Sequence, residues 1–266
     1  LATPDDFVPP APATLDDALL VHTRMYVAKL LNGTLSPMEL ATLEIPYSRE
    51  IVDKFLLGAG GTIAAVRSSM ERGVGVNVAG GLHHAFADHG EGFCMFNDVA
   101  MGAARALADG LAERIAIVDC DVHQGNGTAS IFRHEDRIFT MSIHQEFNYP
   151  MTKPPSNLDI GLPNDADGRL YLTHLKAGLD AVFTEFGPEM VLFVAGADVY
   201  EHDLLGGLAL TMQDIRDRDA LVMETCAAEH VPFTALLAGG YAESVSETRD
   251  IHANTIARAI SVGEAL

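Results

Sequence analysis

The chain has 266 residues, 48% of them apolar, which is enough for one large α/β domain or two small ones with an ample core. A formal charge of −20 without a basic patch speaks against nucleic acid as a partner; it suits a cationic substrate, or simply a well-solvated acidic surface. No apolar run reaches the roughly 18–20 residues that span a bilayer. Cys94, Cys120 and Cys226 are odd in number and form no C-x-x-C pair, which suits reduced thiols in a cytoplasmic compartment. No signal peptide is visible, and a start at Leu1 rather than Met is consistent with a trimmed N-terminus.

Residues 1–14 are rich in Pro and Ala and read as a loop. The spacing predicts a helix over 16–31 that stops at Asn32-Gly33, then irregular chain over 33–47. Ser48 is a candidate N-cap for a long helix to about Arg72, whose Gly58, Gly60 and Gly61 either allow close packing or split it in two. A strand over 74–79 and an Ala-rich helix over 96–108 follow. The β-branched run 115–118 predicts a buried strand, with a short helix near 128–132 and another strand over 138–144. Residues 145–167 carry prolines at 150, 154, 155 and 163 and read as a loop, too long for mere connection, that shapes an entrance or a subunit contact. Then come a helix over 168–186, a strand over 190–195, a helix over 211–230, a strand over 233–237 and a closing helix over 244–262. Five strands alternating with helices predict a single-domain, three-layer αβα fold of the α/β class, with a mostly parallel sheet.

Four of those strands run into chemistry. They are followed by Gly80-Gly81-Leu82-His83-His84, by Asp119, Asp121 and His123, by Gly196-Ala197-Asp198, and by Ala238-Gly239-Gly240-Tyr241. In open parallel sheets ligands bind at the carboxyl ends of the strands. Asp119, Asp121 and His123 share one face if the extended backbone persists. Helix capping is the ordinary alternative for such residues, but capping needs one side chain, and three acceptors on one face repel without a cation. Asp121, His123 and Asp198 together give three ligands and an open position, the catalytic zinc pattern; carboxylates suit iron or manganese as well. His83 and His84 can both enter one pocket and titrate near neutral pH. Asp119 and Asn126 are the nearest residues to orient them: a carboxylate raises imidazole basicity, whereas an amide only holds the tautomer. The Tyr241 phenol can donate to a polarised carbonyl oxygen, or be an ordinary half-buried tyrosine.

The run 80–94 (GGLHHAFADHGEGFC) with Asn97-Asp98, then DCDVHQGNGT, GAD and AGGY, in that order, resembles the histone deacetylase family from about residue 45 to the C-terminus. The flavour is nearer the bacterial deacetylase-like amidohydrolases and the class IV branch than class I, and 156–162 (SNLDIGL) is also bacterial in character. The resemblance implies an arginase–deacetylase fold, one zinc ion, and hydrolysis of an acylated amine such as N-acetyl-lysine or an acetylpolyamine. It implies Asp121, His123 and Asp198 as zinc ligands, His84 as general base with His83 mainly electrostatic, and Tyr241 on the carbonyl oxygen. Gly92, Phe93 and Tyr149 would line the acyl-lysine tunnel with Leu205 near its mouth, and Asp119 with Ser142 would form a structural potassium site. Three positions depart from the pattern. Gln124 stands where class I members have a further His, and Asn126 where they have the Asp paired with the second histidine. Tyr200 stands where arginases place a second metal carboxylate, which argues against a two-metal ureohydrolase. The family's usual first strand and metal-proximal loop are not visible in the sequence. A non-catalytic acyl-lysine or polyamine binding module is the remaining alternative. The oligomeric state, a homo-oligomer included, is left open.

Overall fold

The strand Ile115–Asp119 sits inside the sheet because its sequence, IAIVD, buries every residue, as a strand covered on both faces must. In the computed structural model, which describes residues 7–263, four short and long helices come first: α1 (Leu15–Ala18), α2 (Arg24–Asn32), α3 (Pro37–Leu43) and α4 (Arg49–Arg72). The remaining elements are β1 (Val74–Asn77), α5 (Asp98–Ala108), β2 (Ile115–Asp119), α6 (Asn126–Phe132), β3 (Ile138–Gln145), β4 (Leu158–Leu162), α7 (Gly168–Ala181), β5 (Met190–Val194), α8 (Met212–Ala228), β6 (Phe233–Leu236) and α9 (Val245–Gly263). All six strands join one parallel sheet in the order β1-β6-β5-β2-β3-β4. One apolar cluster packs one face of the sheet with α7, α8 and α9, and a second packs the other with α2, α4 and α5.

Local chemistry explains most boundaries. Ser48 caps α4 by accepting from Ile51 N, and Gly33 ends α2 in the left-handed conformation that a C-cap requires. The three glycines do not split α4. At Gly60 a Cβ would collide with the Ala11 carbonyl, so the missing side chain lets the N-terminal segment lie directly on the helix.

Four expectations need correcting. The single helix expected over 16–31 is two, because Thr23 starts a new one by capping Tyr26 N. The irregular stretch 33–47 contains α3, held by a reciprocal Ser36–Glu39 capping box. The loop 145–167 contains a sixth strand, β4, at the sheet edge; its residues are alternately half-exposed, so it lacks the continuous apolar run of a central strand. The helix expected over 168–186 ends at Ala181 and continues as one π turn, Val182–Phe186. The start of the loop 1–14, residues 1–6, lies outside the described residues. Among the described residues, no helix is long and apolar enough to cross a membrane.

Candidate active site

After β2 the chain runs outward through β3 to β4, then returns to lay β5 on the other side of β2. The loops leaving β2 and β5 therefore diverge, and a crevice opens between the carboxyl ends of two neighbouring strands. The extended backbone ends at Asp119, so Asp121 and His123 come from the turn beyond β2 rather than from the strand. Asp198 follows β5. One ligand atom from each of Asp121, His123 and Asp198 lies within 4.8 Å of the others.

Backbone amides hold the two carboxylates. Val122 N donates to Asp198 Oδ1 (2.9 Å), His123 N to Asp121 Oδ1 (3.0 Å) and Gly239 N to Asp121 Oδ2 (3.3 Å). At Gly239 a Cβ would stand 2.9 Å from Asp198 Oδ2 and 3.1 Å from Asp121 Oδ2, so the loop after β6 comes this close only as glycine. Asp198 Oδ2 is buried with no hydrogen bond of its own, 3.3 Å from His123 Nδ1. Burial, then the adjacent Asp121 charge, pushes the Asp198 carboxyl up to about 7. Burial opposes charge on His123, but Asp121 and Asp198 outweigh it and raise the imidazole to about 10. Two crowded carboxylates with an orphaned oxygen demand positive charge, and an Asp-His-Asp donor set with an open side fits a divalent cation.

Behind this group stand the two histidines, with ring centroids 4.0 Å apart. Their supports differ. His83 Nδ1 lies 2.6 Å from Asp119 Oδ2 and its Nε2 3.7 Å from Asp121 Oδ1. Burial works against its charge, yet these carboxylates win and raise it to about 9. His84 has an amide instead: its Nδ1 lies 2.7 Å from Asn126 Oδ1. Burial, then the charge on His83, holds its basicity well below that of a free imidazole.

These groups line one cavity of about 370 Å³ together with Gly92, Phe93, Tyr149, Leu205 and Tyr241. Phe93 stands at the mouth because the turn before it is left-handed at two residues, Gly92 (φ 51°) and Phe93 (φ 66°). A Cβ at Gly92 would stand 2.8 Å from the His84 ring. The Tyr149 ring meets the His84 ring edge-on at 5.0 Å. Tyr241 tilts toward Phe93, with centroids 6.1 Å apart, and burial followed by the Asp121 and Asp198 charges pushes its phenol up to about 12.

Other anticipated residues stand elsewhere. Asp119 and Asn126 lie behind the histidines rather than on the cavity wall. Asp119 and Ser142 are paired in register across β2 and β3, and both side chains have partners: Asp119 with His83 and the Asp121 amide, Ser142 with His144 Nδ1 at 2.9 Å. Gln124 is buried and donates to Pro154 O and Asp159 Oδ1. Tyr200 turns its hydroxyl to Glu247 on α9, 3.2 Å away, so that position adds no ligand.

Three residues escaped the sequence reading. The Asp203 carboxylate accepts from Tyr241 N (2.6 Å), Leu205 N and Gly206 N, tying the Tyr241 loop to the Leu205 loop. Arg218 on α8 is fully buried, pairs with Asp219 at 2.7 Å, and donates to the carbonyls of Gly196 (2.5 Å) and Cys120 (3.3 Å), just ahead of Asp198 and Asp121. Glu91 touches both Asn126 and Tyr149. None sits in a strand-end cluster, and Arg218 is 98 positions from Cys120. The one available cue was GEGFC, where a charged residue interrupts an otherwise glycine-rich turn.

Known proteins share this arrangement of sequence and fold. The histone deacetylase domain profile matches residues 2–256. An uncharacterised protein of Picosynechococcus sp. is 41% identical over 228 residues, covering 86% of this chain and 76% of its own. A probable deacetylase of Archaeoglobus fulgidus is 31% identical, covering 87% of this chain and 68% of its own. Histone deacetylase 2 of Arabidopsis thaliana is 28% identical, covering 89% of this chain and 64% of its own, so this chain spans just under two thirds of that relative. The crystal structure of the HDA15 HD domain has the same fold, with a TM-score of 0.77 at 23% identity over 96% of this chain and 76% of that one. A histone deacetylase domain match running nearly end to end makes this chain a member of the histone deacetylase family.

Proposed function

We propose that the chain is a zinc-dependent hydrolase of acylated amines, releasing a free amine and a carboxylate. The observation that carries this reading is the convergence of Asp121, His123, Asp198, His84 and Tyr241 on one cavity. Asp121, His123 and Asp198 would hold the ion, which when bound supplies Lewis acidity toward the amide carbonyl and acidifies water.

The residues of the chain do the rest. His84, kept neutral by burial and the neighbouring His83 charge, takes the proton of the attacking water. His83, held between Asp119 and Asp121, stays protonated and contributes positive charge beside the reacting atoms. The Tyr241 hydroxyl donates to the carbonyl oxygen as charge gathers there, a preorganised contact of the oxyanion-hole kind. The leaving nitrogen receives a proton from imidazolium, because an amide anion cannot depart. Gly92, Phe93 and Tyr149 form the walls for the acyl-bearing arm, and Leu205 its mouth.

A formal charge of −20 favours a cationic substrate: acetyl-lysine in a basic peptide, or an acetylpolyamine. The deciding test is a panel of acetylputrescine, acetylspermidine, acetyl-lysine peptides and longer acyl-lysines with zinc-loaded protein. Release of free amine from at least one class, abolished by chelation and restored by zinc, is the expected result. No turnover across the panel with one zinc bound per chain would leave a binding module as the better description.

A further inference from the structure

Asn126 is 1% exposed and carries a side-chain amide whose two ends are nearly the same shape. Which end faces His84 decides the chemistry of that ring. If Asn126 Oδ1 faces it, His84 Nδ1 must carry a hydrogen to donate, and the lone pair is left on Nε2. If the NH₂ faces it, Nδ1 must be the acceptor, and Nε2 carries the hydrogen and cannot take another from water. Asn126 has no internal means of choosing.

Glu91 chooses for it. Its Oε1 lies 2.8 Å from Asn126 Nδ2 and also accepts the Tyr149 hydroxyl at 2.5 Å, while its Oε2 lies 3.4 Å from His89 Nε2. An ionised carboxylate offers only acceptors, so the end of Asn126 facing Glu91 must be the donor, and Oδ1 must face His84. Burial opposes ionisation of Glu91, but hydrogen bonds from His89, Tyr149 and Asn126 outweigh it and hold its carboxyl below the usual range. The backbone places the side chain here: Glu91 and Cys94 close the same left-handed turn that lifts Phe93 to the mouth.

We infer that Glu91 is a positioning residue, which through the Asn126 amide dictates that His84 bears its hydrogen on Nδ1 and its lone pair on Nε2. The inference rests on the proposed role of His84 as the base. It explains how the site works with Asn126 in place of a carboxylate: the negative charge stands one amide further back, and the orientation it imposes is passed on.

The test uses histidine-selective ¹⁵N labelling of the purified protein, read beside steady-state kinetics. In the parent chain His84 should give one tautomer with hydrogen on Nδ1. E91Q keeps shape but can present either end to Asn126. It should therefore give mixed His84 tautomers and a kcat lower by about tenfold, with a smaller change in KM. The double variant E91Q/N126D exchanges carboxylate and amide, so it should restore the single tautomer and most of kcat. A parent-like tautomer in E91Q, with only KM raised through a loosened Tyr149, would overturn the inference. So would a double variant no better than E91Q. A tautomer that follows Glu91 in a chain with no hydrolase activity would sink the proposed function instead and leave this inference standing.

Discussion

At the floor of the cavity Asp121, His84 and Asp198 are buried, whereas at its mouth Phe93, Leu205 and Tyr241 keep 37–42% of their surface in solvent. Phe147 and Met151, which flank Tyr149 in the sequence, are exposed by 81% and 96%. Each polar floor side chain has at least one named partner, from Asp119 behind His83 to the Val122 amide on Asp198 Oδ1, although Asp198 Oδ2 has no hydrogen bond. The mouth is carried by turns and by tethers between the Tyr241 and Leu205 loops, among them the Asp203 carboxylate and the bond from Leu204 N to Tyr241 O. Buried charges must be paired or they cost several kcal/mol, so the floor tolerates little variation. Exposed apolar groups on turns carry no such penalty and can adapt to a substrate arm.

Damage to the floor should abolish function, and damage to the mouth should only tune it, except at Tyr241, whose hydroxyl is the proposed donor to the carbonyl oxygen. The largest effect should come from Asp198→Ala, which removes one of three donors. Activity should vanish and the zinc content of the purified protein should drop. In the parent chain, zinc at about a hundredfold over its Kd should add about 2.7 kcal/mol of stability, and that gain should disappear in the variant. A variant that still binds one zinc per chain would remove Asp198 from the ligand set.

Next in size is Arg218→Met, which leaves Asp219 as a buried charge without its partner. Denaturant unfolding should show a loss of about 3–5 kcal/mol, and adding Asp219→Asn should recover part of it. A loss under about 1 kcal/mol would mean that the guanidinium does not clamp the Gly196 and Cys120 carbonyls.

Tyr241→Phe should keep zinc and fold while losing about 2–4 kcal/mol in kcat/KM, mainly through kcat, as expected for one oxyanion donor. Full kcat in that variant would end the donor role. The smallest change should come from Phe93→Ala at the mouth: about 0.5–1.5 kcal/mol, carried by KM, the worth of one aromatic contact. A collapse of kcat there would mean that Phe93 belongs with the floor, and the distinction between the two regions would fail.

Much of this could be read from residue order. Each of four strands in a parallel sheet hands its last residues to the same edge, so His83-His84, Asp121 with His123, Asp198 and Tyr241 were bound to gather once those strands were recognised. Helix ends such as Ser48 and Gly33 were equally plain, because capping is a contact between near neighbours. What escaped were features whose signal is weak or distant. The β4 edge strand is only half-covered and sits among prolines. The glycines of α4 make sense only against what lies on them: the Ala11 carbonyl at Gly60, the Ala79 carbonyl at Gly58 and the Asn77 side chain at Gly61.

Donor types and their order along the chain were thus enough to indicate five of the six strands, the pocket edge and a candidate Asp-His-Asp group, since each strand and the cluster that follows it lie close together in sequence. Folding was needed to bring Glu91 behind the amide that supports His84, because Glu91 reaches Asn126 across 35 positions of sequence. Hydrogen bonds are short and directional, so the placement of a proton on His84 depends on where those distant side chains come to rest.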